Sequence, residues 1–375
     1  LLLLLALVTL ALGLVAHRLL APSGNPFARP PSGPPRPLVT EPRARDKVLK
    51  QGFSANRVPP ELDAVVIGSG IGGLTAAATL AKAGKKVLVL EQHDQAGGCC
   101  HTFEDQGYEF DVGIHYVGQM HEGSMLRVAL DQLTDGQLCW HRLPDPYDEV
   151  TLGTRRYQLR SGKTTFVTAL EEQFPEDKEA IREFMKISKV GHAALGGAIS
   201  PGLPSAWSGQ LWEVDVGLEM VVVVAPMGVG RGMDDSRVTG TVGTDMAPVP
   251  HSPFPPAGTA PQDSSFLVNL LMVHHYQRGA WYPRGGASEI AFHCVPVIER
   301  AGGAVLVRAP VTRVLLSPTG AAVGVAVQKG PSEEEEEVQI FAPCVISDAG
   351  IFNTFGKLLP PSLRSHPGTI SPVSL

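Results

Sequence analysis

Three glycines and one acid, in a fixed order, are the residues of this chain best able to do chemistry. Gly68, Gly70 and Gly73 make a G-x-G-x-x-G turn, and Glu91 stands about 20 residues further on, the offset at which an acid meets a ribose hydroxyl. Such a set grips a dinucleotide without bonding to it covalently. Gly68 permits the tight turn, Gly70 lets the backbone approach a pyrophosphate, and Gly73 lets a helix pack closely on a strand. The helix N-terminus beyond them offers unpaired N–H groups and the positive end of its dipole to the phosphates. A second pair, Gly97 and Gly98, follows Glu91 by a few residues, where a loop would run beneath a pyrophosphate or flavin and side chains would obstruct. Nicotinamide-only Rossmann proteins have no general need of such a pair, which tilts the cofactor toward FAD. His115 lies in Phe110-Asp-Val-Gly-Ile-His115-Tyr116; it is a proton-handling candidate and equally a satisfied core histidine.

The five cysteines, Cys99, Cys100, Cys139, Cys294 and Cys344, form no C-x-x-C pair. Adjacent Cys99 and Cys100 suit zinc poorly, so no metal site is expected, and an odd, unpatterned set argues against a disulfide framework. Packing or turn roles are the plain reading of the adjacent pair, with a redox role as the alternative.

These residues need elements to hold them. Leu62 to Ile67 is a short apolar strand, Leu74 to Ala83 a small-residue helix stopped by Gly84, and Lys85 to Leu90 a second strand ending in Glu91. The full order of strand, turn, helix, strand and acid separates a dinucleotide fold from an ordinary βαβ unit with a glycine turn. Leu126 to Leu133 and Thr168 to Gly191 carry helical periodicity; the latter, with Leu170, Phe174, Ile181, Phe184 and Ile187, suits a cap domain. Gly279 to Gly286 opens a helix from Ser288 to Arg300, and strands follow at Ala304 to Val307 and Val311 to Leu316. Gly324 to Gln328 and Val338 to Phe341 flank the acidic run Glu333 to Glu337, read as a solvated hairpin loop. Val345 to Gly350 is a last strand entering a small-residue turn. The fold class expected is α/β: a Rossmann-like FAD/NAD(P)-binding domain with a second, substrate-facing cap domain.

A chain of 375 residues with net charge −6 is long enough for two domains and carries no basic stripe, so no nucleic acid is expected as a partner. Leu1 to Ala16 is apolar apart from Thr9, and Ala21 to Thr40 is crowded with Pro, Gly and Ser. A hydrophobic signal or anchor followed by a stiff spacer suggests an enzyme at a membrane surface, routed to the endoplasmic reticulum.

The segments VVIGSGIGGLTAAATLAKAGKKVLVLEQH, AGGCCHTF, FDVGIHYVG, YPRGGASEIAF and RAGGAVLVRAPV together resemble the carotenoid isomerase and phytoene desaturase branch of the FAD-dependent, amine-oxidase-like oxidoreductases. The likeness covers most of residues 40–200 and 265–360, and within the branch it is greatest to the enzymes that saturate a retinoid. It implies that Gly68, Gly70 and Gly73 hold the FAD pyrophosphate, Glu91 the adenosine ribose, and that Gly97 and Gly98 lie along the cofactor. Val311 would meet the adenine through its backbone, and Gly285 and Gly286 would sit on the flavin side of the pocket. The implied reaction passes a hydride from reduced flavin to one carbon of a conjugated double bond and a proton to the other, on an apolar polyene such as retinol. His115 and Tyr282 are the proton-handling or pocket candidates, and NAD or NADP is the electron source to consider.

The implied layout is 1–20 signal or anchor, 21–60 linker, 61–125 first part of the FAD domain, 126–280 cap, 281–359 return to the FAD domain, and 360–375 an unpatterned tail. Two departures from the family pattern stand out. Residues 208–260, with Val221-Val-Val-Val224 and the proline-rich run Pro248 to Pro261, lose all helical or strand period where amphipathic helices are expected. The family's closing glycine-rich segment, which completes the flavin site, is not found before Leu375. From these, weak FAD binding or misfolding is expected of the chain as written. Carotenoid isomerisation or desaturation, a non-catalytic truncated product and a nicotinamide-only dehydrogenase are the competing readings.

Overall fold

The computed structural model describes residues 25–28, 30–31, 33–114, 116–152, 154–186, 272–328 and 337–364. The apolar leader, His115, the anomalous stretch 208–260, most of the acidic run and the tail beyond 364 lie outside the described residues.

Strands β1 (Ala64–Ile67) and β2 (Val87–Leu90) are each four apolar residues, all buried. Continuous apolar runs of this kind belong to parallel sheets covered on both faces. The helix between them, α2 (Ile71–Lys82), starts three residues earlier than its apolar pattern suggests, because Ile71, Gly72 and Gly73 already turn helically after Gly70. With β9 (Ala304–Leu306) and β13 (Val345–Ser347) they form a parallel sheet in the order β13-β1-β2-β9. Its register sets Val66 beside Val89 on one side and Ile346 on the other.

The two faces separate by alternation. Ala64, Val66, Val87, Val89 and Val305 pack with α2 and with α5 (Glu289–Arg300). Val65, Ile67, Leu88, Leu90 and Leu306 face an antiparallel sheet of β10 (Val311–Leu316), β11 (Ala322–Gln328) and β12 (Glu337–Phe341). Each such fully buried Val, Leu or Ile contributes about 1.5–3 kcal/mol, so this three-layer sandwich is the body that holds the turn after β1 rigid.

Residues 42–53 are more than linker. Helix α1 (Pro42–Leu49) forms because Glu41 accepts from the N–H groups of Arg43 and Ala44 while Pro42 opens the first turn. Beyond it the chain runs beside β9: Val307 N donates to Gln51 O and Phe53 N to Val307 O, both at 2.8 Å.

The remaining elements form smaller sheets. Strands β3 (Thr102–Asp105) and β4 (Tyr108–Asp111) pair as a hairpin, as do β6 (Asp148–Leu152) and β7 (Arg155–Leu159), while β5 (Trp140–Arg142) pairs with β8 (Trp281–Pro283), far apart in sequence. The β3–β4 hairpin is inverted: Phe103 and Phe110 stack at 5.4 Å on its exposed face, while Thr102, Glu109 and Asp111 point inward. Helix α3 (Met125–Leu133) matches its periodicity. The long helix expected from Thr168 does not form. Helix α4 (Lys163–Gln173) ends at Phe174, the residue before Pro175, whose ring disfavours a helical predecessor, and helical geometry resumes at 178–186. Tyr116, Tyr147 and Tyr276 pack edge and face in this second unit, with Tyr116 Oη donating to the Asp148 carboxylate.

Candidate functional site

The glycine turn is as tight as its spacing requires. Gly68 has φ +98°, and a Cβ on Gly73 would lie 2.2 Å from Gly68 O, so both positions admit only glycine without moving α2 off β1. Gly97 and Gly98 also take positive φ, and a Cβ on Gly98 would come within 2.8 Å of Gly70 Cα. The two glycine clusters therefore touch backbone to backbone, making a floor at the N-terminus of α2 to which neither cluster contributes a side chain.

A carboxylate also lies at this floor. Asp348, immediately after β13, accepts from Gly73 N at 2.9 Å, and Cβ atoms on Gly70 or Gly72 would each fall 2.7 Å from its oxygens. Gly70 and Gly72 thus make room for Asp348 as well as for a ligand. Burial pushes this carboxyl up, the Gly73 N–H pulls it down, and the Glu91 charge adds a further push upward; the sum is upward.

Glu91 is buried at the carboxyl end of β2 and is tied into the turn on both oxygens. Oε2 accepts from Ser69 N at 2.9 Å and Ser69 Oγ at 2.6 Å; Oε1 accepts from His93 N at 3.0 Å and faces His93 Nδ1 at 2.7 Å. Burial alone would raise this carboxyl, yet these donors outweigh it and hold Glu91 below the ordinary glutamate range. Four contacts exhaust the lone pairs a carboxylate offers. His93, whose side chain is 67% exposed, is the partner that a ribose hydroxyl could replace without unpacking anything. Ser69 Oγ also accepts from Gly97 N at 3.1 Å, so one buried hydroxyl couples the acid to the second glycine cluster. Just beyond, Ala309 N donates to Glu91 O and Arg308 N to His93 O, bringing Val311, the first residue of β10, to the same end of the sheet.

Gly285 and Gly286, both at positive φ, form the turn before α5. A Cβ on Gly285 would meet Leu38 at 2.5 Å, and one on Gly286 would meet Glu109 at 3.2 Å. Ala291, inside α5, lies against Gly97, which joins this turn to the glycine floor. Tyr282, in β8, donates to Asp111 Oδ2 at 2.7 Å, and Ala287 N reaches Asp111 Oδ1 at 3.4 Å. Burial first, then the Asp111 carboxylate, holds the Tyr282 phenol well above its ordinary range, so it is a protonated donor at neutral pH. Behind it, Arg45 of α1 pairs with Glu289 and donates to Ser288 Oγ at 2.6 Å, and Glu289 also meets His293 Nε2 at 3.0 Å.

The structure thus gathers Gly68, Gly70, Gly73, Glu91, Gly97, Gly98 and Val311 around one sheet end, with Gly285, Gly286 and Tyr282 joined to them through α5 and the β3–β4 hairpin. Sequence reasoning passed over Ser69, His93, Asp111 and Asp348. Ser69 carried a signal, being a small polar residue inside the fingerprint; Asp348 carried none, since its contact with Gly73 spans 275 positions. All five cysteines are free, with the Cys294 thiol pushed up to about 12 by burial. Among the described residues no His, Cys, Asp and Glu group could hold a metal, and no helix is long and apolar enough to cross a membrane.

A profile for the NAD(P)-binding Rossmann-like domain matches residues 66–133, which take in the glycine floor, Glu91 and Asp111. The all-trans-retinol 13,14-reductase of Danio rerio is 47% identical over 378 residues, covering 99% of this chain and 61% of that protein. A second Danio rerio protein, the inactive all-trans-retinol 13,14-reductase, is 42% identical over 89% of this chain and 55% of its own length. Prolycopene isomerase 2 of an Oncidium hybrid cultivar is 30% identical over 80% of this chain and 50% of its own. The chain spans about three-fifths or less of each of these relatives.

Proposed function

The chain belongs to the family of the all-trans-retinol 13,14-reductases, and from that premise we propose that it serves flavin-dependent saturation of the 13,14 double bond of all-trans-retinol, giving all-trans-13,14-dihydroretinol. The single observation that supports this most is the glycine floor closed by Gly98 on Gly70, with Glu91 at the adjoining strand end. That cradle is one a Cβ would fill, and its donor set is suited to a diphosphate and a ribose, so the residues fit FAD. When bound, FAD would supply hydride chemistry at a conjugated double bond.

The chain's own residues have separable tasks in this reading. The N–H groups of Gly70 to Gly72 would hold the diphosphate beside the Gly73–Asp348 bond, Glu91 the ribose by exchanging its His93 contact, and Val311 the adenine. Gly97, Gly98, Gly285 and Gly286 would line the ring's bed and keep side chains from it. Tyr282, held protonated against Asp111, would handle the proton that accompanies reduction, with His115 the other candidate. The cap region, 126–280, whose Tyr147 and Tyr276 pack with Tyr116, would exclude water from a polyene. NAD or NADP as electron source, and a station at the endoplasmic reticulum membrane through Leu1 to Ala16, complete the proposal.

The test is chemical. The chain purified with excess FAD and supplied with all-trans-retinol and a reductant is expected to yield a product heavier by two hydrogen atoms. Tyr282→Phe should lower that yield at least about tenfold, the lower end for a general acid being nearer a hundredfold, while leaving flavin content unchanged. A second reading, a cofactor-binding but non-catalytic member, draws support from the relative named as inactive. Bound flavin without product would favour it. Colourless protein would sink the flavin reading itself.

A further inference from the structure

One cleft of about 900 Å³ lies away from the glycine floor, walled by α1, the end of α5 and the edge strand β9. Arg43, Asp46 and Lys47 line it from α1, and Lys50 from the cap that ends that helix. Their spacing of i, i+3, i+4 and i+7 puts them on one helical face. On an ordinary surface helix that face would be solvated; here it forms the wall of a cavity, and Arg57 adds another cation from the loop beyond.

The charges do not cancel. The two acids of the cleft are already engaged: Asp46 with Lys50 at 3.0 Å, and Glu299 as acceptor from Gln51 Nε2. Arg57 donates to Gly52 O at 3.0 Å, which orients it without neutralising it. Arg43 and Lys47 are exposed, and neither side chain has an ion-pair partner among the described residues. Arg43, Lys47 and Arg57, set around a concavity whose lining carries a surplus of two positive charges, fit a phosphate-bearing ligand.

The source of that phosphate is argued from the order of the chain. Helix α1 is the first helix after the Pro-rich run, which itself follows the apolar stretch Leu1 to Ala16. Basic residues brought within about a Debye length of a bilayer attract anionic headgroups, each contributing on the order of 1 kcal/mol near the surface, so that a pair multiplies affinity roughly 30-fold. We propose that this cleft docks the phosphate headgroup of an anionic phospholipid and seats the domain against the bilayer. The inference rests on the membrane reading above and is independent of the cofactor.

The experiment sediments the full chain, purified with FAD, with vesicles of phosphatidylcholine alone or with one part in five of phosphatidylserine, at low and high salt. The expected result is binding at least about tenfold tighter to the anionic vesicles, lost at high salt. The double variant Arg43→Glu, Lys47→Glu should lose that gain while keeping its binding to neutral vesicles; Lys163→Glu, on α4, should keep both. Equal binding to the two vesicles overturns the proposal, as does an equal loss in the Lys163→Glu control. Inorganic phosphate or ADP raising thermal stability in the parent but not the double variant, with no preference for phosphatidylserine, would assign the cleft to a soluble phosphate instead. Flavin absorbance is read on the same samples. An intact lipid preference in colourless protein would sink the cofactor reading alone, and flavin-loaded protein with no preference would sink this inference alone.

Discussion

Glu91 and Asp348 are two carboxylates of the same floor that respond to folding in opposite senses. Glu91 is held below its ordinary range by donors from His93 and Ser69 that outweigh burial. Its contribution to stability is therefore full above the unfolded-state value and fades as pH falls through the lower folded value. Glu91→Gln keeps the shape but weakens the contact to two N–H groups and a hydroxyl, so a loss of about 1–3 kcal/mol is expected at neutral pH, shrinking in acid. Asp348 is shifted upward, chiefly by burial. Its ionised form burdens the fold, and the burden grows as pH rises from the ordinary aspartate value through the folded one, then levels off. Asp348→Asn retains an acceptor for Gly73 N and sheds the charge, so it should stabilise the protein at neutral pH and be neutral in acid. Chemical denaturation of both variants at the two pH values checks the pair, and a shared sign would show that one assignment is wrong.

Elements explain which parts of this arrangement were legible in the sequence. Strand β1, the turn, α2, β2 and Glu91 are consecutive, so pattern and chemistry lie within one short window, and the structure follows it to within three residues at either end of the helix. The strands from Ala304 to Gln328 were legible for the same reason. The support behind the site was not. Arg45 meets Glu289 across 244 positions, and α1 has a mean composition too polar to look like part of a core. Its docking side is nevertheless decisive, because Glu289 is 4% exposed in its side chain and carries a charge that Arg45 compensates. Arg45→Ala should cost about 3 kcal/mol or more by stranding that charge, whereas Lys47→Ala, two residues on, should change stability by less than about 0.5 kcal/mol. Thermal unfolding of the two variants side by side tests whether α1 is fastened by one face only.

At the scale of the molecule, one exposed surface is set by the orientation of a hairpin. Strands β1 and β2 bury all their apolar residues, while the inverted β3–β4 hairpin leaves Phe103 and Phe110 about half exposed and Tyr108 at 70%. The polar face that the hairpin turns inward is used by Tyr282 and Ser288, which fixes its orientation and forces the aromatics outward. Phe103→Thr with Phe110→Thr should therefore reduce binding of a hydrophobic dye severalfold and leave the unfolding midpoint within a few degrees, since little buried area is lost. A steep fall in the midpoint would mean that the pair is structural. The opposite treatment is given to the sheet's flank at β9, where Gln51 and Phe53 occupy the backbone groups of Val307. That short strip of chain guards the sheet's outer flank against templated pairing: a version trimmed past Phe53 would bare both backbone groups of Val307 and strand Glu289 without Arg45, and self-association into larger particles would follow.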